Sequence, residues 1–226
     1  MLQLMSHTGL KNDFLLKRLG KLQPELDYQS LIAELSGYSH PRRKIKELQT
    51  KSIIIRVKKG FYVFNPDYFG RNYSREIVAN LLYGPSYISL EGALAYHKLI
   101  PERVENLTCV TSQKNKNFST PIGNYSYSHI ASKLYPLGIT RAKSADDRSF
   151  LIAIPEKALL DYFHFNFSNS EKPQKKDIED ILINDLRIET QTMINILSIE
   201  KIIKLKSYYK NRNWCIRLLE YLEEIL

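Results

Sequence analysis

Hydrophobic positions along this chain change period several times, and each change marks an element. Between Lys11 and Leu22, the residues Phe14, Leu15, Leu19 and Leu22 recur at helical spacing, and Pro24 ends the run. The same period returns in Tyr28, Leu31, Ile32 and Leu35. Asp27 is placed to cap that helix, and Gly37 to close it in a left-handed turn. Ser39 is placed to cap the next helix, where Pro41 suits the first turn and Ile45 and Leu48 face inward. The period then drops to two. Ile53, Ile55 and Val57 alternate with Ile54, Arg56 and Lys58, and Phe61 to Phe64 return after a Lys58-Lys59-Gly60 turn with glycine at the positive-φ position. Three helices and then a hairpin is the order a winged helix-turn-helix requires.

Asn65-Pro66 breaks the strand, and Ser74 is placed to cap a helix over Arg75 to Tyr83. Its apolar stripe is Ile77, Val78, Leu81 and Leu82, and Gly84-Pro85 stops it. We therefore expect two domains, residues 1–80 and residues 81–226, with this helix as connector. The second half begins with a short extended segment at Tyr87 and a helix capped by Ser89 through Leu90, Ala93, Leu94 and His97. Leu107 to Thr111 reads as a strand, followed by a polar loop from Ser112 to Asn117 that carries Lys114 and Lys116. Asn124 to Ile130 alternate strictly, which puts Tyr125, Tyr127 and His129 on one face. Phe150 to Ile154 is another strand, and Pro155 opens a helix through Lys157, Leu159, Leu160 and Phe163. After a polar loop from Asn166 to Lys176, apolar residues from Ile178 to Leu222 keep helical spacing, Met193, Leu197, Trp214 and Leu218 among them. The fold class expected is α+β: a winged helix-turn-helix, then a small sheet with helices and a helical C-terminus.

Charge sharpens this picture. The 226 residues carry a net +9, but unevenly. Residues 1–80 hold 14 Lys/Arg against 7 Asp/Glu, a net +7, and the remainder holds 19 against 17. A cationic surface attracts a polyanion through counterion release, so the N-terminal third is the end expected to meet double-stranded DNA. At about 100° per residue, Arg42, Arg43, Lys46, Gln49 and Thr50 gather on one face of the second capped helix. Its N-terminal residues would meet base edges in a major groove, with Ser39 and the turn lysines Lys58 and Lys59 beside phosphate.

Little points to catalysis. His7, His40, His97, His129 and His164 are scattered without ligand spacing, so no metal is expected. Neither phosphate-cradling glycine motif occurs, nor a nucleophile elbow, and no cofactor is expected. No glutamate has lysine two positions on, the pair many nucleases carry on a central strand. The chain is accordingly read as a non-enzyme. Glu156 at a helix start complements the helix dipole. Cys109 and Cys215 lie in apolar patterns and read as free buried thiols, which fits a reducing cytoplasm. No apolar run reaches membrane-spanning length, and the N-terminus shows no signal-peptide pattern. Lys114, Lys116, Tyr125, Tyr127 and His129 form a second candidate surface, for nucleic acid or a partner.

The segments RVKKGFYVFNP, YISLEGALAYHKLIPE, LTCVTSQKNKNFSTPIGNYSYSHI and FLIAIPEKALLDYF follow one another in this order. That series resembles the AbiEi family of bacterial antitoxins, from type IV toxin–antitoxin and abortive-infection systems, over roughly residues 10–165. The resemblance implies an N-terminal domain that binds inverted promoter repeats and represses its own operon. It implies a C-terminal domain needed against a nucleotidyltransferase-like toxin, without a stable complex between the two. The family's DNA-contacting basic residues would fall on Arg42, Arg43, Lys46, Lys58 and Lys59. The candidate surface at Lys114 to His129 would then be antitoxic. A homodimer or cooperative monomers on repeats would both serve. The alternatives are a ligand-sensing winged-helix regulator without a toxin partner and a nucleic-acid-processing enzyme.

Overall fold

Asp27 caps a helix as its position predicts, and the first part of the fold grows from that junction. Its Oδ1 accepts from the backbone N–H of Ser30 at 2.7 Å. That donation holds the carboxyl below the usual carboxylate range. The computed structural model describes residues 15–102, 104–167, 172–209 and 212–226. It is α+β and divides into two compact units, the chain passing from the first to the second between Val78 and Ala79, with Thr120–Ile122 grouped with the first.

In the first unit, residues 15–19 are helical (α1). Then come β1 (Glu25–Asp27), α2 (Tyr28–Glu34), α3 (Pro41–Thr50), β2 (Ile54–Lys58), β3 (Phe61–Phe64) and α4 (Pro66–Phe69). The chain crosses the division in α5 (Arg75–Leu82). Leu15 and Leu19 of α1, Leu31 of α2 with Leu35 just after it, and Ile45 and Leu48 of α3 share one core with Ile54, Tyr62 and Phe64. The rest of the expected first helix, including Phe14, lies outside the described residues. The sheet runs β1-β3-β2, antiparallel throughout. Gly60 turns the β2–β3 hairpin at φ +82, a conformation glycine adopts without strain, and its carbonyl accepts from Tyr28 N at 2.9 Å.

The caps and the β2 alternation differ from those the sequence pattern predicts. Gly37 is not the left-handed cap of α2. The helix ends two residues earlier, at Leu35, whose N–H still bonds back to Leu31 while its side chain enters the core. Ser39 does not cap α3 either, because the chain enters that helix through His40, and no side chain takes the cap bond. The strict alternation expected of β2 is interrupted by a bulge between Arg56 and Lys58, so Ile54 and Val57 are buried while Ile55 is half-exposed. β1 was invisible in the pattern, being only three residues long. Ser74 does cap α5, accepting from Ile77 N at 3.2 Å, but Leu81 leaves the expected stripe at 54% exposure.

The second unit is built on a six-stranded mixed sheet ordered β6-β7-β5-β4-β9-β8. The strands are β4 (Ser86–Ile88), β5 (Asn106–Thr111), β6 (Lys116–Thr120), β7 (Gly123–His129), β8 (Ile139–Lys143) and β9 (Ser149–Ala153). β4 and β5 are antiparallel, β5 and β7 parallel, β4 and β9 parallel. The helices α6 (Leu90–Tyr96) and α7 (Pro155–Asn166) follow β4 and β9. The helical remainder is α8 (Lys175–Asp180), a π-helical turn (Ile181–Asp185), α9 (Thr190–Ile196), α10 (Ile199–Lys206) and α11 (Asn213–Ile225). The sequence pattern missed β6 and β8. They are the two edges of the sheet, neither contains a fully buried residue, and so neither shows an apolar alternation. Among the described residues no helix is long and apolar enough to cross a membrane.

Candidate nucleic-acid interface

Helix α3 sorts its charges by side. Glu47 takes Lys51 at 2.8 Å and Lys44 at 3.0 Å, and these two ammonium groups, Lys51 first, hold its carboxyl below the usual range. Lys44 also lies over the Tyr38 ring at 5.5 Å. The remaining cations, Arg42, Arg43 and Lys46, are exposed together on the side opposite the buried Ile45 and Leu48. Arg42 Nε donates to the hydroxyl of Tyr28 at 3.2 Å. Arg43 and Lys46 donate no side-chain hydrogen bond to a described residue. Ser39 is exposed at the entry to α3, and the uncapped first turn leaves backbone N–H groups there without a side-chain acceptor.

Not every predicted residue is equally available. Gln49 and Thr50 turn back onto their own helix, Gln49 Nε2 toward Ile45 O at 3.4 Å and Thr50 Oγ1 to Lys46 O at 3.0 Å. Both sit at the C-terminal end of α3, away from its basic start. Lys59 is exposed at the hairpin tip and Lys58 is half-buried. Between α2 and the start of α3 lies a groove of roughly 800 Å³, lined by Tyr28, Ile32, Ser39, His40, Arg42 and Arg43. Sequence reasoning placed Tyr28 only as a core residue. Its position fourteen residues before Arg42, at the start of the preceding helix, carried no sign of the bond.

The second candidate surface does not survive intact. Tyr125 and Tyr127 are each 1% exposed and cannot stack on bases or a partner. Tyr127 donates to Ala79 O at 2.6 Å and packs edge-on against Tyr83 and Phe118. The strict alternation of β7 therefore reports a buried face. His129 shares their parity but ends the strand, where it is exposed, its Nδ1 2.8 Å from Gln113 O. Lys114 is exposed in the loop, whereas Lys116 belongs to the edge strand β6 and lies over Tyr83 and Phe118.

A buried polar cluster in the second unit was not foreseen. Lys157 and Asp161, one turn apart on α7, are both fully buried and bonded at 2.6 Å. Asp161 Oδ1 also accepts from Tyr209 Oη at 2.7 Å, while Oδ2 accepts from Tyr87 at 3.0 Å and Ser89 at 2.8 Å. Lys157 donates a second bond to Tyr209 at 2.5 Å. Ser89 thus spends its hydroxyl on Asp161 and does not cap α6 through its side chain. Burial pushes the Lys157 ammonium down, and the adjoining carboxylate pushes it back up. Glu156, also fully buried, does more than complement a dipole: it accepts from Ser198 N at 3.0 Å. A lysine and an aspartate four apart in the otherwise apolar run of α7 were the available signal. The cluster is sealed from solvent and every acceptor of Asp161 is used, so it holds α7 to β4 and to the chain after α10 without offering a reaction site.

His164 lies beside this cluster, its ring 5.6 Å from that of Tyr209. Burial, with Arg212 assisting, lowers its pKa to about 4. The folded ring stays neutral between pH 6.5 and 4 while the unfolded ring takes a proton, so stability should fall as pH drops through that window. The loss is at most about 3 kcal/mol, less for the part of the ring that solvent reaches. Urea unfolding at pH 7 and pH 4.5 should show His164→Gln losing less stability than the natural protein. Equal losses would remove His164 from the account.

Cys109 and Cys215 are free and buried, and burial raises both thiols, the latter to about 12. No protein-family model matches this chain, and no curated protein is similar to it in sequence. Among solved structures it is similar to the crystal structure of RV2827C protein from Mycobacterium tuberculosis, at 12% identity over 94% of this chain and 80% of that one, with a TM-score of 0.49.

Proposed function

We propose that this protein is a DNA-binding antitoxin that represses its own operon, of the AbiEi type that its sequence resembles. One observation carries the DNA-binding half: Arg42, Arg43 and Lys46 exposed together on α3, whose one acidic residue, Glu47, is paired with Lys44 and Lys51, with the β2–β3 hairpin and its lysines following directly in the same unit. In this reading α1 to α3 and the hairpin act as a winged helix-turn-helix. Helix α3 enters the major groove, with Arg42, Arg43 and Lys46 reaching base edges and the phosphates beside them. Lys58 and Lys59 of the wing contact the backbone. The uncapped first turn of α3 supports phosphate binding beside Ser39. The second unit acts against a nucleotidyltransferase-like toxin; Lys114, Lys116 and His129 are the exposed part of its candidate surface.

The DNA half is tested by gel shift with the duplex upstream of the gene and an unrelated duplex as competitor. Specific retardation at about 10 nM or tighter is expected. Failure to retard at roughly 1 µM would sink the reading. The antitoxin half is tested separately, by co-expressing the full chain with a neighbouring nucleotidyltransferase-like reading frame. Growth should be restored without the two proteins co-purifying.

A further inference from the structure

We infer that Tyr28 is a positioning residue for base recognition: its hydroxyl braces Arg42 so that the arginine reads one guanine. The inference rests on the DNA-binding reading above. It starts from the 3.2 Å bond in which Arg42 Nε donates to Tyr28 Oη. A guanidinium has five donors in a rigid fork. With Nε engaged by Tyr28, the four hydrogens on Nη1 and Nη2 remain, and neither nitrogen bonds a described residue. That terminal pair is the geometry for bidentate bonding to guanine O6 and N7, the commonest specific contact of arginine with DNA.

Tyr28 is itself held in place. It is the first residue of α2, its backbone N–H bonds Gly60 O at 2.9 Å, and its ring packs partly against the unit's core. The brace therefore connects a rigid helix start to the first turn of α3. Arg43, the next residue, donates no such bond and points its charge into solvent. The two arginines divide the work: Arg42 is ordered before DNA arrives and selects a base, while Arg43 is free to follow the backbone. Immobilising a long side chain on binding costs enough to change affinity about 2- to 10-fold, and the brace removes that cost for the base-reading geometry alone.

The test is selection from a randomised duplex library with the full-length protein, comparing natural protein, Tyr28→Phe, Arg42→Ala and the double variant, each checked for an unchanged melting midpoint. The natural protein should prefer guanine at one position. Arg42→Ala should erase that preference, a loss of roughly 10- to 100-fold in discrimination. Tyr28→Phe should weaken it about 2- to 10-fold with the salt dependence of binding unchanged, and should add nothing in the Arg42→Ala background. If Tyr28→Phe keeps the natural preference, or weakens all sequences alike, the brace is overturned while DNA binding stands. If the natural protein enriches no sequence, the DNA-binding reading falls and the inference with it.

Discussion

Asp161→Asn should destabilise the protein by at least about 3 kcal/mol at pH 7, the largest effect expected of any single isosteric change. The substitution keeps shape and volume and removes one charge. What remains is the Lys157 ammonium, fully buried, with Tyr209 as its other partner. Lys157→Met should cost less, about 1–2 kcal/mol, because the carboxylate it abandons still accepts from Tyr87, Ser89 and Tyr209. The double variant Lys157→Met with Asp161→Asn should cost less than the sum, since no charge is left buried. The pH dependence separates the two single variants further. Without its counter-charge, Lys157 has a folded pKa held still lower by burial, while in the unfolded chain it titrates at its ordinary value. The unfolded state then binds more protons, so Asp161→Asn should regain stability as pH rises toward 9.5, and Lys157→Met should not. Urea unfolding at pH 7 and 9.5 measures all three variants. A loss under about 1 kcal/mol for Asp161→Asn would show that the substitution leaves no uncompensated buried charge on Lys157.

This cluster also shows where sequence reading stops. Apolar period was enough to place α2, α3, the hairpin and α7, although Gly37 and Ser39 do not cap the two helices as expected. Asp27, Gly60 and Pro155 behave as their types require. Strands β6 and β8 were missed because an edge strand buries too little to leave a pattern. Tyr125 and Tyr127 show the opposite error: a polar hydroxyl on an alternating strand suggested a surface, but their rings close a core and Tyr127 finds a backbone acceptor. Lys157, Asp161, Tyr87, Ser89 and Tyr209 come from three distant parts of the chain. No local pattern could join them. The Tyr28–Arg42 bond belongs to the same class, since spacing says which face a residue occupies and nothing about which long side chains meet.

Replacing Arg43, Lys46 and Lys59 together by alanine should lower affinity for any duplex by roughly 10²- to 10³-fold at about 0.1 M salt. All three are exposed. Surface changes of this kind usually leave stability within about 0.5 kcal/mol, so lost binding would not be lost folding. Each phosphate contact contributes about 0.9 to the slope of log affinity against log salt, so three lost contacts should flatten the slope by about 2.7. The natural and triple-variant curves should therefore converge as salt approaches roughly 1 M, where counterion release no longer drives binding. Arg42→Ala should behave differently. It removes a base contact, so its deficit should persist on the preferred sequence at every salt concentration and vanish on unrelated sequence. Titrations of both duplexes across about 0.05–0.5 M salt, followed by fluorescence anisotropy, resolve the two behaviours. Equal slopes for the natural protein and the triple variant would mean that these three cations face solvent, not phosphate. The excess of +7 in residues 1–80 would then act only at long range, steering the protein toward DNA without holding it there.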